Sequence, residues 1–142
     1  MKAITIVFFI LFLVKDCEIK SQEIDAVKIE YSAYSREYYQ KTEIENKKFR
    51  VFRDSNSLED PNFQPIPKAL WKEMVLEFKK LNLDAISNME APTKKRFHDG
   101  AAIAKLSIFY KGKAYQTVDF DRGFPPKEIS KFVEKINALI KD

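Results

Sequence analysis

The sequence predicts a single α+β domain of order β-β-β-α-β-β-α, one antiparallel sheet with two helices packed on one face. Three observations point there. Val27, Ile29, Tyr31 and Ala33 alternate with Lys28, Glu30 and Ser32, the period of a half-buried strand. Two later stretches, 67–81 and 129–140, carry apolar residues at helical spacing instead. Short turn signals join the strands, and only antiparallel neighbours can use such short connections.

Each element follows in order. After the first strand, residues 37–45 read as its hairpin partner, with Arg36 at the tip. Asn46-Lys47 is a tight-turn signal leading into a third strand, Lys48–Arg53, whose Phe49 and Val51 face one way. From Asp54 to Pro67 the chain is polar and broken by Pro61 and Pro65, so a loop is expected. Pro67 suits a first helical turn, where its missing N–H costs nothing. Leu70, Met74, Phe78 and Leu81 then form a stripe widened by Trp71 and Val75. Residues 82–100 are irregular and end in the turn signal Asp99-Gly100. A second hairpin, Ala102–Tyr110 and Ala114–Phe120, turns at Lys111-Gly112-Lys113. Gly123-Phe124-Pro125-Pro126 leads into a closing helix. Its start, Pro126-Lys127-Glu128-Ile129, resembles Pro67-Lys68-Ala69-Leu70 at the first helix. The expected core contains Leu70, Met74, Phe78, Leu106, Ile108, Ile129, Val133 and Ile136.

Upstream of this domain, Lys2 precedes a twelve-residue apolar run, Ala3 to Val14, interrupted only by Thr5. That is the pattern of a secretory signal peptide, and it is shorter than the roughly 20 residues a membrane span needs. Residues 1–21 are therefore expected to be removed at Ser21–Gln22. Residues 22–142 would remain as one periplasmic or secreted domain with no transmembrane span. Two other fates stay open: a lipid anchor on Cys17, and retention of the segment as an N-terminal anchor.

Composition narrows the chemistry. The net charge of +4 falls by one without residues 1–21, which hold Lys2, Lys15 and Lys20 against Asp16 and Glu18. Basic and acidic residues are interspersed, which suits a solvated surface and not a nucleic-acid footprint. Cys17 is the only cysteine, so the expected mature domain has no disulfide, cysteine metal site or thiol chemistry. His98 is the only histidine, which excludes a Ser-His-Asp triad and a multi-histidine metal site. No cofactor motif is present.

Two sets of residues remain as candidates. Tyr34, Arg36, Tyr38 and Tyr39 concentrate in the first hairpin, and Tyr and Arg are the residue types enriched at recognition hot spots. Half-buried strand tyrosines would give the same pattern. Asp119 and Asp121, two apart on a strand, point to one side. With Gly123 and Glu128 they faintly echo a calcium loop, but the glycine and glutamate come early and Arg122 puts a positive charge among the ligands. The alternative for Asp121 is to cap the turn before Pro125-Pro126 or to pair with a basic residue.

Ala91-Pro92-Thr93, Arg96, Asp99-Gly100-Ala101 and Phe120-Asp121-x-Gly123-x-Pro125-Pro126, in that order, resemble a group of small exported proteins of Gram-negative bacteria. The resemblance covers the chain from Trp71 onward and the first hairpin loosely. It implies export and a shared fold, and it brings no catalytic residue. Its motifs suggest an internal clamp, Arg96 paired with Asp99 or Asp121, fixing the long loop to the sheet end through a bidentate bond. The function expected is a binding or inhibitory module without catalysis, its partner another envelope or extracellular protein. One alternative is a metal-dependent hydrolase using Asp119, Asp121 and His98. The other is an accessory subunit of an envelope assembly.

Overall fold

Two tight turns set the register of the sheet. Asn46 and Lys47 adopt φ of +50° and +61°, and Lys111 and Gly112 adopt +49° and +74°. Paired positive φ values are those of two-residue hairpin turns matched to the right-handed twist of their strands. Lys113, expected in the second turn, is already in the strand opposite Tyr110. The structure, a computed structural model, describes residues 24–140. Residues 1–21, the expected Ser21–Gln22 cleavage site and Cys17 lie outside the described residues.

The strands are β1 (Lys28–Tyr34), β2 (Tyr39–Glu45), β3 (Lys48–Phe52), β4 (Gln64–Pro65), β5 (Ile103–Tyr110), β6 (Lys113–Gln116) and β7 (Phe120–Asp121). They form one antiparallel sheet of order β4-β3-β2-β1-β5-β6, with β7 also paired to β5. The short strands β4 and β7 are additions to the expected order. The helices are α1 (Lys68–Lys79) and α2 (Ser130–Ala138). Pro67 and Pro126 each stand one residue before a helical turn, with ψ of 136° and 142°. Pro67 thus caps the first helix from outside it.

Directly paired residues share a face of the sheet, and one face is apolar. Ile29 lies between Ile44 and Ile108, Tyr31 between Thr42 and Leu106, and Ala33 between Gln40 and Ala104. Both helices cover this face with Met74, Val75, Phe78, Phe132, Val133 and Ile136. Phe78 and Phe132 meet at 5.8 Å between ring centroids. Of the expected core only Leu70 is not fully enclosed: it sits in the first turn of α1, half-buried against the rim. Among the described residues no helix is long and apolar enough to cross a membrane.

The opposite face carries charge. Glu43 is buried there, with Lys41 Nζ at 2.9 Å and Arg50 Nη2 at 2.7 Å. Burial opposes its ionisation, but the hydrogen bonds from Lys41 and Arg50 prevail and hold the carboxyl below its ordinary range. Arg50 reaches on to Asp60 at 3.0 Å and stacks on Phe52 and Phe63, which ties the loop after β3 to the sheet.

An unbroken strand over 114–120 does not form. Gln116 pairs with Ser107 and Phe120 with Ala104, so Thr117, Val118 and Asp119 stand opposite Lys105 and Leu106. One extra residue on one strand is a β-bulge. Thr117 holds it from both ends: its N–H donates to Leu106 O at 3.0 Å, and its Oγ1 accepts from Leu106 N at 3.1 Å. A one-residue slip exchanges the faces of everything beyond it. The bulge therefore turns Phe120 into the core against Tyr31, ring centroids 6.4 Å apart, and sends Asp121 to the other face.

The described chain enters the fold at Ile24, which is buried, and Asp25, which pairs with Lys47 at 3.1 Å. This is the end of the sheet that carries the β2–β3 turn. The β1–β2 connection lies at the opposite end.

On the core face the Thr42 hydroxyl is fully buried and finds no hydrogen-bond partner. Thr42→Val removes that unpaired group while keeping the branched shape a strand favours. It is expected to raise the free energy of unfolding by about 1 kcal/mol. A urea midpoint lowered by the substitution would show that the hydroxyl is satisfied in solution.

Candidate functional site

The long segment after α1 is ordered by what it buries and by one carboxylate. Ile86, in a 3₁₀ turn over Leu83–Asn88, and Met89 plug into the core. Beyond them a second 3₁₀ turn, Lys95–Phe97, lies across the end of β7. Asp121 sits beneath it, fully buried. The Thr93 hydroxyl donates to Asp121 Oδ2, as does the Lys95 amide at 2.7 Å. The Arg96 amide donates to Oδ1 at 2.9 Å, and Arg96 Nη1 lies 3.2 Å from the same oxygen. Burial alone would raise this acid, but the Thr93 hydroxyl, the two amides and the guanidinium outweigh it and hold its pKa at about 2.

The structure thus brings Arg96 and Asp121 together, although not through a bidentate bond. Only Nη1 reaches the carboxylate, and it also donates to Thr93 O at 2.8 Å. The geometry is defined by the amides and the threonine. Asp99 stands apart: it is exposed, forms no ion pair with Arg96, and its N–H donates to Lys95 O at 2.7 Å. Asp121 does not cap the turn before the prolines with its side chain either. Its backbone carbonyl does so, accepting from Phe124 N at 2.9 Å.

The tip of the first hairpin reaches the same end of the sheet. Ser35 N donates to Tyr38 O at 2.7 Å and closes a four-residue connection. Tyr38 has an internal role: its hydroxyl donates to Gln40 at 2.6 Å and Arg122 stacks on its ring at 4.4 Å. Tyr39 is half-buried opposite Tyr34. Tyr34 and Arg36 face outward, Tyr34 at 47% exposure. They line a groove of about 760 Å³ whose other wall is Phe97, Ala101 and Ile103. A second groove of about 610 Å³ runs along the far side of Phe97, lined by Met89, Ala91, Lys94 and Val118. Phe97, 67% exposed, is the ridge between them. Arg96 stacks against its ring at 4.4 Å.

The acid and base groups proposed for hydrolysis do not converge by any bond. Asp119 pairs with Lys105 at 3.1 Å, Asp121 is saturated by donors from the loop, and His98 is exposed and bonded to neither. Among the described residues no group of three or more histidine, cysteine or acidic side chains is placed to hold a metal ion.

Sequence reasoning missed Phe97, Thr93 and the stacking of cations on rings. Lys95 lies over Phe124 at 4.4 Å, so the fold brings the basic run 94–96 an aromatic ring from outside its own segment. Phe97 carried a signal: it is a lone aromatic in a polar loop, with no periodic partner to bury it. No family model matches the chain, and no curated protein matches it.

Proposed function

We propose that this protein is a non-catalytic binding module whose recognition surface is the sheet end around Tyr34, Arg36 and Phe97. The observation that carries this reading is the convergence of Tyr34, Arg36 and Phe97, from two segments about sixty residues apart, onto one groove, with a second groove on the far side of Phe97. Exposed aromatics beside an arginine are the composition of interface anchors. The loop that presents Phe97 is fixed from below by a buried carboxylate, so the surface is organised before any partner arrives, and that lowers the ordering cost of binding. Export, expected from residues 1–21, and the resemblance to exported proteins would place the partner in the cell envelope or outside the cell.

Phe97→p-benzoylphenylalanine tests the reading by photo-crosslinking in an envelope extract. One discrete adduct is expected from position 97, lost when Arg36→Glu is added. The same photoprobe at Leu76, exposed on α1, should not give it. Identical adducts from both positions, or none from position 97, would remove the sheet end as the binding surface.

A further inference from the structure

The loop 97–102 hangs from β7 at both ends. On one side the Arg96 amide donates to the Asp121 carboxylate at 2.9 Å. On the other, Ala102 O accepts from Arg122 N at 2.9 Å and Ile103 pairs with Asp121. Between these anchors Asp99 and Gly100 are both exposed. The Asp99 N–H is spent on Lys95 O at 2.7 Å, but among the described residues nothing bonds to its carboxylate or to the Gly100 N–H. Gly100 has a φ of +64°, and a Cβ added there would meet nothing within 4 Å.

Of the three glycines in the chain only Gly100 follows an aspartate or asparagine. A glycine has no Cβ to hold its amide nitrogen away from the preceding side chain. Asp54 shows the contrast: it too is exposed, but Ser55 follows it and its Oδ1 accepts from Asn56 N at 2.8 Å. We propose that Asp99–Gly100 is a site of spontaneous isoaspartate formation in the folded protein. The Gly100 nitrogen, losing its proton to solvent, bonds to Asp99 Cγ, and the hydroxyl of the protonated carboxyl leaves as water. A five-membered succinimide results. Water then adds to one of its two carbonyls and breaks that carbon's bond to nitrogen. Opening at Cγ restores aspartate. Opening at the main-chain carbonyl leaves the chain running through Cβ, with the carboxylate now on Cα. The product adds one backbone carbon to the segment that walls the groove opposite Tyr34 and Arg36. It needs no enzyme, no oxidant and no binding role for this end of the sheet.

Peptide mapping of the purified, folded protein after several weeks at mildly acidic pH tests the site. Trypsin releases Phe97–Lys105. A second form of this peptide is expected, equal in mass but shifted in elution, accompanied by a form lighter by one water. The shifted form should accept tritiated methyl groups from an isoaspartyl methyltransferase. It should accumulate at a rate comparable to that in the same peptide synthesised free, and Asp99→Glu, which cannot close a five-membered ring, should abolish the label at this peptide. A Phe97–Lys105 peptide that stays single and unlabelled while the free peptide converts would show that the fold protects the bond, and would overturn the site. Label confined to other peptides, or unchanged in Asp99→Glu, would overturn it as well.

Discussion

Phe78→Ala is expected to lower the free energy of unfolding by about 3–5 kcal/mol, the range for truncating a buried aromatic ring. Phe78 is one of the contacts that join the helices to each other as well as to the sheet. It lies on α1, is almost wholly buried, and meets Phe132 of α2 at 5.8 Å. Removing the ring leaves a void at the point where three elements meet, with little freedom for any of them to collapse into it. Denaturant unfolding followed by circular dichroism reads the effect as a lower midpoint. An unchanged midpoint would mean that the helices do not pack on the sheet through this face.

That position was legible because a helix repeats its buried stripe and nothing else in the chain mimics the pattern. The sheet was legible for a related reason: once Asn46-Lys47 is taken as a two-residue turn, Glu43 must stand opposite Arg50, and it does. The bulge was not. Thr117-Val118-Asp119-Phe120 keeps an acceptable alternation in either register, and the extra residue shows only when both ends of the strand are set against β5. The strand β4 was hidden by Pro65, which supplies no N–H to a ladder and survives there because it lies at an edge.

Asp121→Asn is expected to lower the thermal midpoint at neutral pH and to change the shape of acid unfolding. The native carboxyl titrates at about 2, against an ordinary 3.8 when unfolded. A depressed native pKa means the unfolded chain takes up the proton first as acid is added. The stability that Asp121 contributes is therefore fully present above about pH 4 and is lost as the pH falls toward 2. The asparagine variant lacks that contribution throughout, so its unfolding free energy should fall less steeply over the same window. Parallel acid limbs for the two proteins would show that the loop donors do not hold the carboxylate in solution. A cycle with Arg96→Met separates the side chain from the amides. Coupling above the roughly 0.2–1 kcal/mol of exposed pairs is expected if the guanidinium contributes on its own.

The partners of Asp121 illustrate what a sequence withholds. Arg96 could be named from its charge, but every residue except proline has an N–H, so nothing marks the amides of Lys95 and Arg96 as those the carboxylate takes. Phe97 is different in kind, since an aromatic residue stranded among Lys94, Arg96, His98 and Asp99 has no place in a core and was readable as exposed. Tyr38 shows the reverse error. It looks like its neighbours in sequence, yet Arg122, from the far end of the chain, covers it.

The two ends of the described chain are not equivalent as points of attachment. Ile24 joins the fold beside the β2–β3 turn, and β1, seven residues long, then runs the length of the sheet before Tyr34 appears, a distance of roughly 23 Å. Ile140, by contrast, shares a cleft with Arg122. A bead, sensor chip or fusion partner joined ahead of Ile24 thus stands a sheet's length from Tyr34, whereas the same handle placed after Ile140 stands beside Arg122 and Gly123, just past the strand that carries Asp121. Capture through the N-terminal side should accordingly report partners that a C-terminal handle obscures.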